Sequence, residues 1–118
     1  MGVELTFLIV DRESRDEWDA HTTIWIGKYR EFFQAIEHSL KEHLVGVPVW
    51  CHFDCDDEGD NKYGQCTQTP YGSPLTYLTA AEILSLEDLV PDDGYYLKAA
   101  LAYLKALEPD HKIILYWS

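Results

Sequence analysis

The sequence predicts an α+β domain: a small mixed β-sheet with helices packed on one face, in the order β-β-α-β-loop-α-α-β. Three observations predict it. Apolar residues alternate in the opening segment, apolar residues recur at helical spacing in two later segments, and the final segment is apolar on both faces.

Each element follows from its residues. In 3–10, Val3, Leu5, Phe7 and Ile9 alternate with Glu4 and Thr6, the period of a strand, while Leu8 and Val10 make its far half apolar on both sides. Residues 11–19 are polar and are expected to form a loop. The β-branched and aromatic run TTIWI at 22–26 predicts a second strand, ended by Gly27. Tyr29, Phe32, Phe33, Ile36, Leu40 and Leu44 then recur at helical spacing, and Gly46 and Pro48 stop that helix. Residues 49–53 read as a third strand. A long acidic loop, about 54–74, is punctuated by Gly59, Gly64, Pro70, Gly72 and Pro74. A short strand at 75–78 leads into a capping box, Thr79 to Glu82, which opens a short helix. Pro91, Asp92 and Asp93 open the last helix, whose stripe is Tyr96, Leu97, Ala100, Leu101, Leu104 and Leu107. Residues 113–117 belong in the centre of the sheet.

Composition narrows the function classes. A chain of 118 residues, 47% apolar and 14% aromatic, fits one domain spanning 1–118 with a real core. Its 21 acids against 9 Lys and Arg give a net charge of −12. That charge argues against direct binding to nucleic acid or an anionic membrane and favours cations or a basic protein partner. The three cysteines are Cys51, Cys55 and Cys66. An odd number without a preceding secretory segment points to a cytoplasmic protein with free thiols. No cofactor motif is present, so no cofactor is expected.

The stretch CHFDCDDEGD, residues 51–60, concentrates the chemistry. Asp54, Asp56 and Glu58 stand at relative positions 1, 3 and 5 of a calcium loop, with Gly59 at 6, but Lys62 at 9 and Gln65 at 12 break the pattern. Cys51, Cys55 and Cys66, with His52 or His43, could supply zinc ligands, although Cys66 lacks a neighbouring partner. In a strand Cys51 and His52 would face opposite ways, which sends Cys51 into the core. The metal alternative therefore draws on Cys51, His52, Asp54, Cys55, Asp56, Glu58 and Cys66. A cysteine nucleophile at Cys55 would sit in a field of carboxylates that raises its pKa. No catalytic motif is present and no catalytic residue is assigned, so an enzyme site would have to be assembled across the sheet.

Recognition of a protein fits better. Acids cluster at 11–19, 54–60 and 87–93, each beside aromatic residues. The residues expected to carry partner binding are Asp54, Asp56, Asp57, Glu58 and Asp60, then Asp16, Glu17 and Trp18, with Tyr63. Trp18 and Tyr63 are expected to be exposed, and Trp25 and Tyr96 to be core.

Four segments carry a resemblance: Met1-Gly2-Val3-Glu4-Leu5, Tyr29-Arg30-Glu31-Phe32-Phe33, the run from Tyr77 through Leu78, Thr79, Ala80, Ala81, Glu82 and Ile83 to Leu84, and Ile113-Ile114-Leu115-Tyr116-Trp117. Together they resemble a group of small uncharacterised proteins from phages, prophages and bacteria. The resemblance covers about half the chain and consists of packing residues and a capping box. It implies a shared frame and carries over no site residue. It also implies an accessory role, such as binding and disabling a host nucleic-acid-processing or defence factor.

The expectation is thus a small acidic interaction module that binds, and inhibits, a basic host protein. The alternatives are a calcium- or zinc-binding module built on the loop from Cys51 to Cys66, and an enzyme whose site spans the sheet.

Overall fold

A computed structural model of the chain describes residues 4–39, 44–54 and 61–118. The fold is α+β, built from two four-stranded sheets and three α-helices. In chain order the elements are β1 (Leu5–Ile9), β2 (Arg12–Glu13), β3 (Trp18–Ala20), β4 (Thr22–Gly27), α1 (Arg30–Ser39), β5 (Val49–Asp54), β6 (Asn61–Cys66), β7 (Thr76–Thr79), α2 (Ala80–Leu84), α3 (Tyr95–Lys105) and β8 (Lys112–Trp117). A single 3₁₀ turn, Glu87–Leu89, joins α2 to α3.

The central sheet has the order β4-β1-β8-β7, antiparallel throughout. Its strands send alternate residues to two different cores, as the pleat requires. Leu5, Phe7, Ile9, Ile26, Leu78, Ile113 and Leu115 pack beneath the helices. The helices answer with Phe32, Phe33 and Ile36 from α1, Ala80 and Ile83 from α2, and Leu97, Ala100, Leu101 and Leu104 from α3. Leu8, Val10 and Ile114 point the other way, onto a second sheet of order β2-β3-β5-β6. There they meet Ala20, Val49, Cys51 and Cys66.

Two sheets therefore replace the single sheet expected. The extra strands come from segments expected to be loop. Residues 11–19 contain β2 and β3, closed by a turn in which Ser14 and Glu17 exchange three hydrogen bonds. The acidic loop is interrupted by β6, which pairs with β5 along its whole length, from Val49↔Cys66 to Asp54↔Asn61. Both segments carry few apolar residues because only one face of this sheet is covered. Pairing of β3 and β6 with β5, and of β2 with β3, makes them strands rather than intrinsic propensity.

The two sheets share chain at a corner. The strand β1 runs on through Val10 and Asp11 into β2, and β3 runs back through His21 into β4. At the bend, Asp11 Oδ2 accepts from the His21 backbone N–H at 2.6 Å and faces His21 Nδ1 at 2.8 Å. The His111 ring closes on the Val10 carbonyl at 2.6 Å. Strands that switch sheets through such bends are how packed sheets make corners.

Local expectations held where packing and capping agreed. The Thr79 capping box forms: its hydroxyl accepts from the Glu82 N–H at 3.2 Å, and the Thr79 N–H donates to Glu82 Oε1 at 3.0 Å. β8 is central, between β1 and β7. The first helix is shorter than its apolar stripe, since Leu44 is 61% exposed and bridges Thr76 as extended chain. Its expected helical neighbour Leu40 lies outside the described residues. No helix among the described residues is long and apolar enough to cross a membrane.

Thr79→Ala is expected to lower unfolding free energy by about 1 kcal/mol. Adding Glu82→Ala should cost less than the sum of the two single changes, because each group satisfies the other. Urea denaturation of the four proteins checks this, and strict additivity would mean the reciprocal cap contributes nothing in solution.

Candidate functional site

The second sheet covers only part of the central sheet. It seals Leu8, Val10 and Ile114 but leaves Thr6, Thr23 and Trp25 partly or fully exposed. The uncovered part is a cleft of about 390 Å³ between the sheets. Ligand sites commonly span about 300–1,000 Å³.

Register builds its floor. Thr6 lies opposite Trp25 on β4 and opposite Tyr116 on β8. A small residue thus sits between two large aromatic ones in a row across three strands. Adjacent strands are ~4.8 Å apart, so the two aromatic positions are roughly 9–10 Å apart with a gap above Thr6. Glu4 lies one pleat further along the same face, and Thr23 lies beyond Trp25 toward the corner. The roof comes from Cys51 and His52 on β5 and from Pro70. Pro70 is set by a tight turn in which the Thr69 hydroxyl accepts from the N–H groups of Tyr71 and Ser73, both at 3.3 Å.

Trp25 is exposed but held. It is 49% accessible, although a core position was expected. Its indole N–H donates to Glu4 Oε2 at 2.9 Å, and its ring meets Tyr96 edge-on with centroids 5.4 Å apart. A Cβ at Gly27 would lie 3.3 Å from the indole, and Gly27 has φ +96°, so glycine both permits the backbone and lets the ring lie close. Tyr96, also expected in the core, is 63% exposed, because α3 turns Leu97, Ala100, Leu101 and Leu104 inward instead.

Of the residues expected to carry partner binding, Asp16, Glu17, Trp18, Asp54 and Tyr63 fall within the described residues. Cys55, Asp56, Asp57, Glu58 and Asp60 lie outside the described residues. Asp54 ends β5, and Tyr63 sits in β6 opposite His52. Asp16 and Glu17 are exposed in the β2–β3 turn, but Glu17 accepts from the Trp50 indole N–H and from Gln65, tying β3 to β5 and β6. Trp18 is half-buried, not exposed. It meets Tyr77 edge-on at 5.7 Å with Lys112 Nζ 4.9 Å above its ring, and Lys112 also pairs with Glu13 at 2.7 Å.

The thiols do not form a cation site with the described residues. Cys51 and Cys66 both face the inter-sheet core, and no group of three His, Cys, Asp or Glu among the described residues is placed to hold a metal. Burial pushes the Cys51 thiol from 9.0 up to about 12, with neighbouring Cys66 adding to the shift. Burial raises Cys66 as well. Tyr116 is raised by burial, then by the two nearby thiols. Cys51 at the cleft roof is therefore a poor source of thiolate. The Asp11–His21 contact resembles the orienting half of an acid–base pair, and His52 lies 6.3 Å from His21 between ring centroids. Asp11 also binds the His21 backbone at the sheet corner, so the contact serves the bend.

At pH 8, Cys51 in a Cys55→Ser, Cys66→Ser protein should react with iodoacetamide at least a hundredfold more slowly than in urea. A rise from 9.0 to about 12 lowers its thiolate fraction on the order of a thousandfold. Because the folded Cys51 thiol titrates above its unfolded value, its contribution to stability is complete below about pH 9 and is lost as pH rises toward 12. A denaturation midpoint that does not fall above pH 9, or a native Cys51 thiol that alkylates freely at pH 8, would contradict this.

Compared with protein-family models, curated proteins and solved structures, the chain matches none.

Proposed function

We propose that this chain is an acidic docking protein that binds, and by binding inhibits, a basic protein partner. Such a role accords with the resemblance to phage and prophage proteins, whose hosts would supply the partner. One observation carries the reading: Trp25 stands half-exposed yet fixed, by Glu4, Tyr96 and Gly27, on a chain of net charge −12. Exposed aromatic residues normally lose side-chain entropy on binding, and a ring already held loses little. Tyr95, 75% exposed, extends this aromatic patch along the start of α3, and Asp92 and Asp93 precede it in the chain. Aromatic anchors within an acidic rim supply affinity at the centre and steering at the edge.

The docking face therefore centres on β4 and the start of α3, with the acidic loop contributing charge. β4 is also an edge strand of the central sheet, so its outer backbone groups are open to a partner chain. The reading is tested by affinity capture with the purified chain, followed by binding kinetics on the captured protein. Tyr95→Ala with Tyr96→Ala is expected to weaken binding at least tenfold with circular dichroism unchanged. The association rate should fall about tenfold between 50 and 500 mM salt, as the screening length shortens from ~14 to ~4 Å. A captured protein whose binding ignores salt and survives the double change would remove the proposal.

A further inference from the structure

We propose that the inter-sheet cleft is a receptor for a single arginine side chain presented by the basic partner. The inference rests on the docking reading and deepens it by naming what the cleft takes.

Charge selects the class of group. Glu4 is the carboxylate among the described lining residues, and these include no lysine or arginine. On a chain of net charge −12, an anion entering there would meet neither among the described lining residues. One carboxylate oxygen is committed: Glu4 Oε2 accepts from the Trp25 indole. The other has no hydrogen-bond partner among the described residues. The Thr6 and Thr23 hydroxyls likewise have none among them.

Shape selects arginine within that class. The open acceptors are spread over neighbouring strands, Glu4 just before β1, Thr6 within it and Thr23 on β4. An ammonium is a compact point charge, whereas a guanidinium presents five donors in a planar fork. The gap above Thr6 lies between two aromatic residues, Trp25 and Tyr116. A flat cation stacks favourably on such rings, more so as water is excluded. About 390 Å³ is near the small end for a ligand site, fitting one long side chain and not a helix some 10 Å across.

The test is a titration of the full chain with Nα-acetylarginine amide, followed by backbone and indole amide resonances. Nα-acetylcitrulline amide, the uncharged planar isostere, and Nα-acetyllysine amide run in parallel. Arginine amide is expected to shift the Trp25 indole N–H and the amides of Thr6 and Thr23, and to bind at least tenfold more tightly than either comparison ligand. Glu4→Gln keeps an acceptor for the indole but removes the charge, and should weaken arginine amide at least tenfold. Thr23→Trp, at an exposed position, should fill the cleft and abolish the shifts while the fold persists. Equal binding of citrulline amide would show that charge is not read, and equal binding of lysine amide that the fork is not read. Either result overturns the inference. So does an absence of shifts, or the same shifts appearing on concentrating the chain alone, which would place a second copy in the cleft. The docking reading stands or falls separately, on the salt dependence and the Tyr95 and Tyr96 changes.

Discussion

A sheet that is apolar on both faces must be covered on both faces. β1 and β8 impose this requirement. Phe7, Ile9, Ile113 and Leu115 need one cover, and Leu8, Val10 and Ile114 need another. Each fully buried side chain of this size contributes ~1.5–3 kcal/mol, so neither face can be left in water. Helices cover the first face. The second sheet covers the other, and it is made from strands that are too short and too polar to form alone. The Asp11–His21 pair at the corner is half-exposed and worth at most about 1 kcal/mol. Burial of Leu8, Val10 and Ile114 therefore drives the second sheet onto the first, and the pair fixes where the chain bends.

The cleft follows from the same requirement being met incompletely. The second sheet stops where the central sheet becomes polar, at Thr6, Glu4 and Thr23. A threonine between a tryptophan and a tyrosine leaves a gap that the described residues do not fill. The indole beside it is held by the Glu4 carboxylate and the Tyr96 ring, and the missing side chain at Gly27 lets it lie close to the backbone. The buried thiols at the back of the same core are neutral at ordinary pH, because a thiolate there would be stripped of water.

Sequence patterns and structure part company at specific residues. The alternation of β1, the double-sided β8 and the Thr79–Glu82 box were legible because each is a local signal backed by burial or capping. Strands β2, β3 and β6 were not, because Arg12, Glu13, Asn61 and Gly64 have no strand preference of their own and become strand only through their neighbours. Trp25 and Tyr96 were expected in the core from their size. Both ended outside, because β4 is an edge strand and α3 buries Leu97 and Ala100 in preference. The acidic run drew attention as the densest cluster of ligands, yet the residues that converge in space, Glu4, Thr6, Trp25 and Tyr116, come from opposite ends of the chain.

What the sequence determined by itself was the α+β class, the helical faces, the central place of β8 and a net charge of −12. These depend on periodicity and composition, which need no knowledge of long-range pairing. The tertiary structure alone decided that there are two sheets, that they meet at the Asp11–His21 corner, and that a cleft remains between them. Those features depend on which strand lies beside which and in what register. Register is a property of pairs of segments far apart in the chain, and no local pattern encodes it.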